Sequence, residues 1–202
     1  MLSLNFTPFP TLETDRLLLR QMTLADAPAL YRLRSDKAVM QYINRPLTQT
    51  VEDAEGWIQI IIDALEKNEG ITWAICLKER PGEPVGNIGI WRIEKANYRG
   101  EVGYMLDPSL QGKGIMYEAL QKVVDYGFRQ LGLHSLEGRI DPRNHASGAL
   151  LKKTGFVQEA LFRENCFHNN VFSDSAVYSL LTPYRQNLAQ PEDAVAAADF
   201  SQ

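Results

Sequence analysis

The chain has 202 residues, 45% of them hydrophobic, with a net charge of −4 and an isoelectric point near 5.4. That length suits one domain with a sizeable core. No run approaches the roughly 18 apolar residues of a membrane span, residues 1–10 hold neither a basic residue nor an apolar leader core, and the acidic balance argues against the basic footprint of a nucleic-acid binder. Cys76 and Cys166 have no disulfide or metal spacing, so the reading is a soluble cytoplasmic protein with reduced thiols. Its charge would suit a basic protein or polyamine partner.

In chain order, Arg16 to Met22 with Leu17, Leu18 and Leu19 predicts a short buried strand. Thr23 with Asp26 forms a capping pair for a helix whose Ala27, Leu30 and Leu33 share a face. Thr50 with Asp53 repeats the device, and Ala54, Trp57, Ile58, Ile61, Ile62 and Leu65 form a helical stripe that closes near Gly70 and reads as core. Ile71 to Lys78 and Val85 to Ile93 read as strands of a hairpin, with Arg80-Pro81-Gly82-Glu83-Pro84 as its turn by composition. Arg99 to Leu106 is a further strand.

Gly114 to Leu131 predicts a helix with Ala119, Leu120, Val123, Val124, Gly127 and Phe128 at helical spacing and Gly132 as its stop. Ser135 to Ile140 is a strand, Asn144 an N-cap for a short helix through Lys153, and Gly155 its C-terminal stop. Phe156 to Phe167 and Phe172 to Leu181 supply the last two strands. The order β-α-α-β-β-β-α-β-α-β-β predicts an α/β (α+β) fold, a mixed sheet flanked by helices, over residues 12–184. Residues 185–202, alanine-rich and acidic toward the end, are expected to be a frayed or disordered tail.

Gln111-Gly112-Lys113-Gly114-Ile115-Met116 lies between the strand ending at Leu106-Asp107-Pro108 and the helix that follows. Glycines let the backbone turn there, and a helix start offers free N–H groups and a positive dipole end to an anion. The loop reads as a diphosphate cradle, or else as an ordinary strand-to-helix turn. It is not a Walker loop, which needs Gly-x-x-x-x-Gly-Lys-Ser/Thr, nor a dinucleotide fingerprint, because Tyr117 holds the third glycine position.

The pattern Gln-x-x-Gly-x-(Gly/Ala) instead resembles the coenzyme A pyrophosphate loop of the GNAT acetyltransferase superfamily, with Met116 departing at the last position. Three further stretches carry the resemblance: Leu12-Glu13-Thr14-Asp15-Arg16-Leu17-Leu18-Leu19-Arg20, Gly103-Tyr104-Met105-Leu106-Asp107-Pro108, and Asn144-His145-Ala146-Ser147 leading to Gly155-Phe156. Together they look like the ribosomal-protein (RimJ/RimL-type) N-acetyltransferase branch. The resemblance implies a GNAT fold with a mostly antiparallel sheet splayed at its centre between the strands ending near Leu106 and Asp141. Acetyl-CoA would enter that wedge, its pantetheine on the open edge at Met105 and Leu106, its pyrophosphate on Gln111, Gly112, Lys113, Gly114, Ile115 and Met116. Lys113 is equally readable as a solvated surface lysine.

Amine acetylation needs a neutral amine, a donor for the oxyanion and a hydrogen bond or proton for the leaving thiolate. By resemblance the donor is the backbone N–H near Leu106, and Ser147 of Asn-x-x-Ser serves the thiolate with Asn144 as a pantetheine contact. Asn144 and Ser147 also read simply as an N-cap and a first-turn residue. The tyrosine that many relatives carry is replaced by Leu151. The glutamate of the branch falls on Cys166; Glu164, on the same face if the segment is extended, and Glu101 are the candidate bases, and either carboxylate is also readable as a surface or salt-bridged group. His134, His145 and His168 lack metal spacing, so no metal is expected. Transfer is expected to be direct, in a ternary complex, without Cys166 as nucleophile.

The acceptor cleft is expected between residues 40–46, with Tyr42, and the last hairpin, with Phe167 and Phe172, although the three aromatics also read as ordinary packing. Three readings stand: acetylation of a protein N-terminal α-amine, with ribosomal proteins as partners by resemblance; acetylation of a small amine such as an amino acid derivative, polyamine or antibiotic; and a non-catalytic acyl-CoA-binding module. A monomer or a homodimer is compatible with all three.

Overall fold

The computed structural model describes residues 2–184; the expected tail, residues 185–202, lies outside them. Strands β1 (Leu12–Glu13) and β2 (Leu17–Gln21) form an opening hairpin. A 3-10 turn runs into α1 (Ala27–Ser35), followed by the single turn α2 (Lys37–Met40) and by α3 (Val51–Glu66). Strands β3 (Ile71–Leu77), β4 (Arg80–Glu94) and β5 (Arg99–Leu106) form a meander. Then come α4 (Ile115–Arg129), β6 (Ser135–Ile140), α5 (His145–Lys153), β7 (Val157–His168) and β8 (Val171–Leu181).

Among the described residues, eight strands form one sheet in the order β1-β2-β3-β4-β5-β6-β8-β7. Every pairing is antiparallel except β5 with β6. The strand alternation sends Leu17, Leu19, Ile88, Ile90, Val102 and Leu136 to one face, where α4 packs Ala119, Leu120 and Val123 over them. The other face holds Ala74 and Cys76 against Leu30 of α1 and Ala54 and Ile58 of α3. The helical stripe read in α3 is therefore core at Ala54 and Ile58, while Trp57, Ile61 and Ile62 border it.

Both capping pairs form: the Asp26 carboxylate accepts from Thr23 N–H at 2.8 Å, and Thr50 and Asp53 cap each other at 3.1 Å. The α/β arrangement expected from periodicity is the one found, with β1 and α2 added. Neither addition shows a period, because each is only two to four residues long. Asp36 makes α2 possible, its carboxylate accepting from Ala38 N–H at 2.7 Å.

The expected Arg80–Pro84 turn is corrected. The chain reverses at Lys78-Glu79, and Arg80–Glu94 is strand throughout. Pairing passes from Cys76↔Pro84 to Leu77↔Arg80, so the extra residues are absorbed in a bulge. Prolines, which lack a ladder donor, are tolerated at such places. At the other end of the sheet, Asn169 and Asn170, with φ of 49° and 60°, make the tight turn of the β7–β8 hairpin.

One pairing positions the site. β5 and β6 are joined only at Arg99↔Ser135, Gly100↔Leu136 and Glu101↔Glu137. Beyond that point β5 runs on to Leu106 held only by β4, and β6 to Ile140 held only by β8. The two strands splay, and the edges that face each other carry no ladder.

Candidate active site

The glycine loop closes the open end of this wedge. Asp107 N–H donates to Val85 O at 2.8 Å, and the Asp107 carboxylate accepts from Ser109 N–H and Oγ at 2.9 and 2.7 Å. Gln111 and Gly112 follow, exposed, and Gly114 is the N-cap of α4 with φ of +76°. Gly112 has φ of +72°, and a Cβ there would meet nothing within 4 Å. Both positions thus take the left-handed conformation that favours glycine. The first N–H groups of α4, at Ile115, Met116 and Tyr117, have no intrahelical partner by helix geometry. The side chains of Ile115 and Met116 are buried in the core, so only their backbone can face a ligand.

A brace from the β1–β2 hairpin holds the loop. Arg16 Nη1 donates to Lys113 O at 3.0 Å, while Arg16 Nε and Nη2 grip Glu118 at 2.7 and 2.6 Å. Thr14 Oγ1 also donates to Glu118. Burial opposes ionisation of Glu118, but the hydrogen bonds from Thr14 and Arg16 outweigh it and hold the carboxyl below its ordinary value. Lys153 of α5 sits over the Tyr117 ring at 4.4 Å. Lys113, Arg16 and Lys153 therefore all place positive charge around the start of α4.

Across the wedge, Tyr104 Oη of β5 lies 2.7 Å from Ser147 Oγ of α5. Ser147 is buried, its N–H donates to Asn144 Oδ1 at 3.0 Å, and Tyr104 packs on the core cluster under α4. Asn144 is thus the N-cap of α5. Burial pushes the Tyr104 phenol up to about 12, with the Ser147 hydrogen bond opposing it. His145 is exposed at the helix start.

Glu101 stands at the last paired position before the splay, beside Glu137. Two like charges in register repel, and three arginines offset them. Arg92 donates to Glu101 at 2.9 Å, Arg99 reaches Glu137 at 3.6 Å, and Arg139 bonds Glu137. Arg92 is aimed there by a bulge between Trp91 and Glu94, where its φ is 48°. These groups line a shallow recess.

Glu164 lies elsewhere. Phe162↔Ser175 is followed by Cys166↔Ser173, a bulge in which Glu164 has φ of 47° and its N–H donates to Asp174 at 2.8 Å. The expectation that alternation puts Glu164 on the face of Cys166 is corrected, because the strand is not regular there. Glu164 is exposed, whereas Cys166 is half-buried. Just past the end of β6, Arg143 pairs with Asp141 at 2.6 Å, and that contact holds the Asp141 carboxyl below its ordinary value. Phe167 and Phe172 meet with ring centres 4.7 Å apart and planes tilted by 45°, and both are exposed. Among the described residues no group of three His, Cys, Asp or Glu side chains is arranged to hold a metal ion, and no helix is long and apolar enough to cross a membrane.

Sequence reasoning assigns no role to Tyr104 or to the Arg16–Glu118 brace. Tyr104 lies in the Gly103–Pro108 stretch that carries the family resemblance, and this is the signal that points to it. Glu118 shows none, being, with Asp125, one of two acidic residues on α4.

Residues 16–157 match the acetyltransferase (GNAT) domain family. The uncharacterised N-acetyltransferase YoaA of Bacillus subtilis is 35% identical over 175 residues, 87% of this chain and 98% of that protein. Two Escherichia coli enzymes are also similar. Spermidine N(1)-acetyltransferase is 26% identical over 158 residues, 78% of this chain and 81% of its own. Ribosomal-protein-serine acetyltransferase is 32% identical over 99 residues, 48% of this chain and 54% of its own. The crystal structure of a GNAT acetyltransferase from Bacillus anthracis superposes with a TM-score of 0.76 at 26% identity, covering 85% of this chain and 98% of that one.

Proposed function

Since this chain belongs to the GNAT family and is an N-acetyltransferase, we propose that it moves the acetyl group of acetyl-CoA to the α-amine of a protein N-terminus, of ribosomal-protein type. The observation that carries the chemistry is the splay beyond Glu101 and Glu137, closed by a glycine loop at a helix start. Unladdered strand edges need partners, and a pantetheine arm has the amide groups to supply them. Residues 111–116 fit its pyrophosphate, since Gly112 leaves open space and the start of α4 offers N–H groups beside Lys113 and Arg16.

When bound, acetyl-CoA supplies a thioester carbonyl. The chain's own groups then have three tasks. The backbone N–H near Leu106 meets the oxyanion. Ser147 donates to the sulfur as the C–S bond breaks, and Asn144 holds the first turn of α5 in place. Glu101 or Glu164 receives the proton that the attacking amine gives up. Of the two, Glu101 is the one at the wedge, though it is already paired with Arg92.

The ribosomal-type acceptor is supported by the likeness to the ribosomal-protein-serine acetyltransferase. A second reading, acetylation of a polyamine, is favoured by the broader match to the spermidine enzyme and by the acidic charge of the chain. Isotope-labelled acetyl-CoA, purified protein and a cell extract split into protein and small-molecule fractions test both. Label in small basic proteins, reduced in Ser147→Ala, is the expected result. Label confined to small molecules moves the assignment to the second reading, and label in neither overturns both.

A further inference from the structure

Tyr104 belongs to a strand on one side of the wedge and Ser147 to a helix on the other, and their oxygens at 2.7 Å make a contact between the two lips. Tyr104 is not one of the groups assigned above to cofactor or acceptor, yet its hydroxyl has Ser147 Oγ as its hydrogen-bond partner. Which oxygen donates decides what the pair can do. A phenol is the stronger donor of the two, and a buried O–H without an acceptor is costly. The Ser147 hydroxyl carries one O–H donor and two acceptor lone pairs, so it can accept from Tyr104 on one side and donate to another group.

We infer that Tyr104 is a positioning residue for Ser147: its O–H donates to Ser147 Oγ and leaves the serine's own proton directed at the sulfur of coenzyme A. This rests on the reading of Ser147 as the partner of the leaving thiolate. Tyr104 does not itself surrender a proton. An ordinary thiol titrates near 8.5, whereas the Tyr104 phenol is pushed up to about 12, so a thiolate is too weak a base to deprotonate it. The chain Tyr104 to Ser147 to sulfur therefore acts by hydrogen bonding alone. Negative charge that appears on sulfur when the C–S bond breaks is met by a serine O–H polarised from behind, and cooperative polarisation strengthens both bonds.

The consequence can be read without any acceptor. If the pair favours thiolate over thiol, coenzyme A must bind more tightly as pH rises through the thiol's ordinary value, and desulfo-coenzyme A, which has no thiol, must not. Calorimetric titration of both ligands between about pH 7 and about pH 9.5 measures this. The expected result is a gain of about tenfold for coenzyme A over desulfo-coenzyme A in the wild type, the worth of one hydrogen bond to a charge. Ser147→Ala abolishes the gain, and Tyr104→Phe cuts it to about threefold or less. Desulfo-coenzyme A affinity stays equal in all three, which reports an intact fold. A full gain in Tyr104→Phe with none in Ser147→Ala overturns the role of Tyr104 and leaves that of Ser147 standing. No gain in the wild type overturns both. Should Tyr104→Phe fail to bind desulfo-coenzyme A, site-specific 3-fluorotyrosine at position 104 replaces it. Its more acidic hydroxyl must enlarge the gain, and an unchanged gain overturns the proposal.

Discussion

Arg16 and Glu118, separated by 102 positions in the chain, meet at 2.6 Å directly behind the glycine loop. The same guanidinium holds the carbonyl of Lys113, so one ion pair fixes both the start of α4 and the residue between the two loop glycines. The pair is part-exposed and contributes little to stability as a lone surface bridge would. Its worth lies in holding backbone N–H groups in place before a ligand arrives, which lowers the ordering cost of binding.

Glu118→Ala is accordingly expected to weaken coenzyme A binding by about tenfold, with a small change in melting temperature. Calorimetric titration checks it. An unchanged affinity would mean the loop holds its shape without the brace.

Gly114→Ala places a Cβ on a residue with φ of +76°. The expected cost is about 1 to 2 kcal/mol of stability, together with lost coenzyme A affinity as the loop relaxes. Urea unfolding and the same titration separate the two effects.

Gly103 lies under the indole of Trp91, and an added Cβ would come within 2.2 Å of it. The ring must then leave the sheet, so Gly103→Ala is expected to destabilise the fold by about 1 to 3 kcal/mol. Near-ultraviolet circular dichroism should change with it. A variant as stable as the wild type would show that Trp91 is free to move.

Asp26 is buried and takes two hydrogen bonds from Arg20, at 2.8 and 2.7 Å. Burial raises its pKa, and those bonds together with Thr23 outweigh it, so the folded value lies below the ordinary 3.8. A depressed carboxylate stabilises the fold at pH above its unfolded value and loses that contribution as pH falls through the folded one. Asp26→Asn should therefore cost about 3 kcal/mol near neutrality, and the gap to wild type in urea midpoint should shrink below pH 3.8. A gap that stays constant into acid would contradict this.

Glu101→Gln tests the base. If Glu101 takes the amine's proton, the variant loses about a hundredfold in rate where the amine is protonated, and recovers above pH of about 8 for an α-amine. A mutant-to-wild-type ratio that is flat with pH removes Glu101 from the reaction.

Leu17, Leu19, Ala119, Leu120 and Val123 announce their elements because burial on one face imposes a period on neighbours in the chain. Thr23 with Asp26, Thr50 with Asp53, and Asn144 cap helices through contacts that span three residues, so they too are legible. The proline-rich stretch 80–84 misleads because turn composition also serves a bulge, and Glu164 misleads because a bulge breaks the alternation by which its face is judged. What no local pattern could supply is where β5 and β6 part, that Tyr104 reaches Ser147 across that gap, and that Arg16 returns to brace Lys113 and Glu118. Periods, caps and glycines act between residues a few positions apart, and one chain displays them directly. The splay point at Glu101 and Glu137, the Tyr104–Ser147 contact across it and the brace on the loop join residues 36 to 104 positions apart, and only the packing of the helices on the sheet brings those groups together.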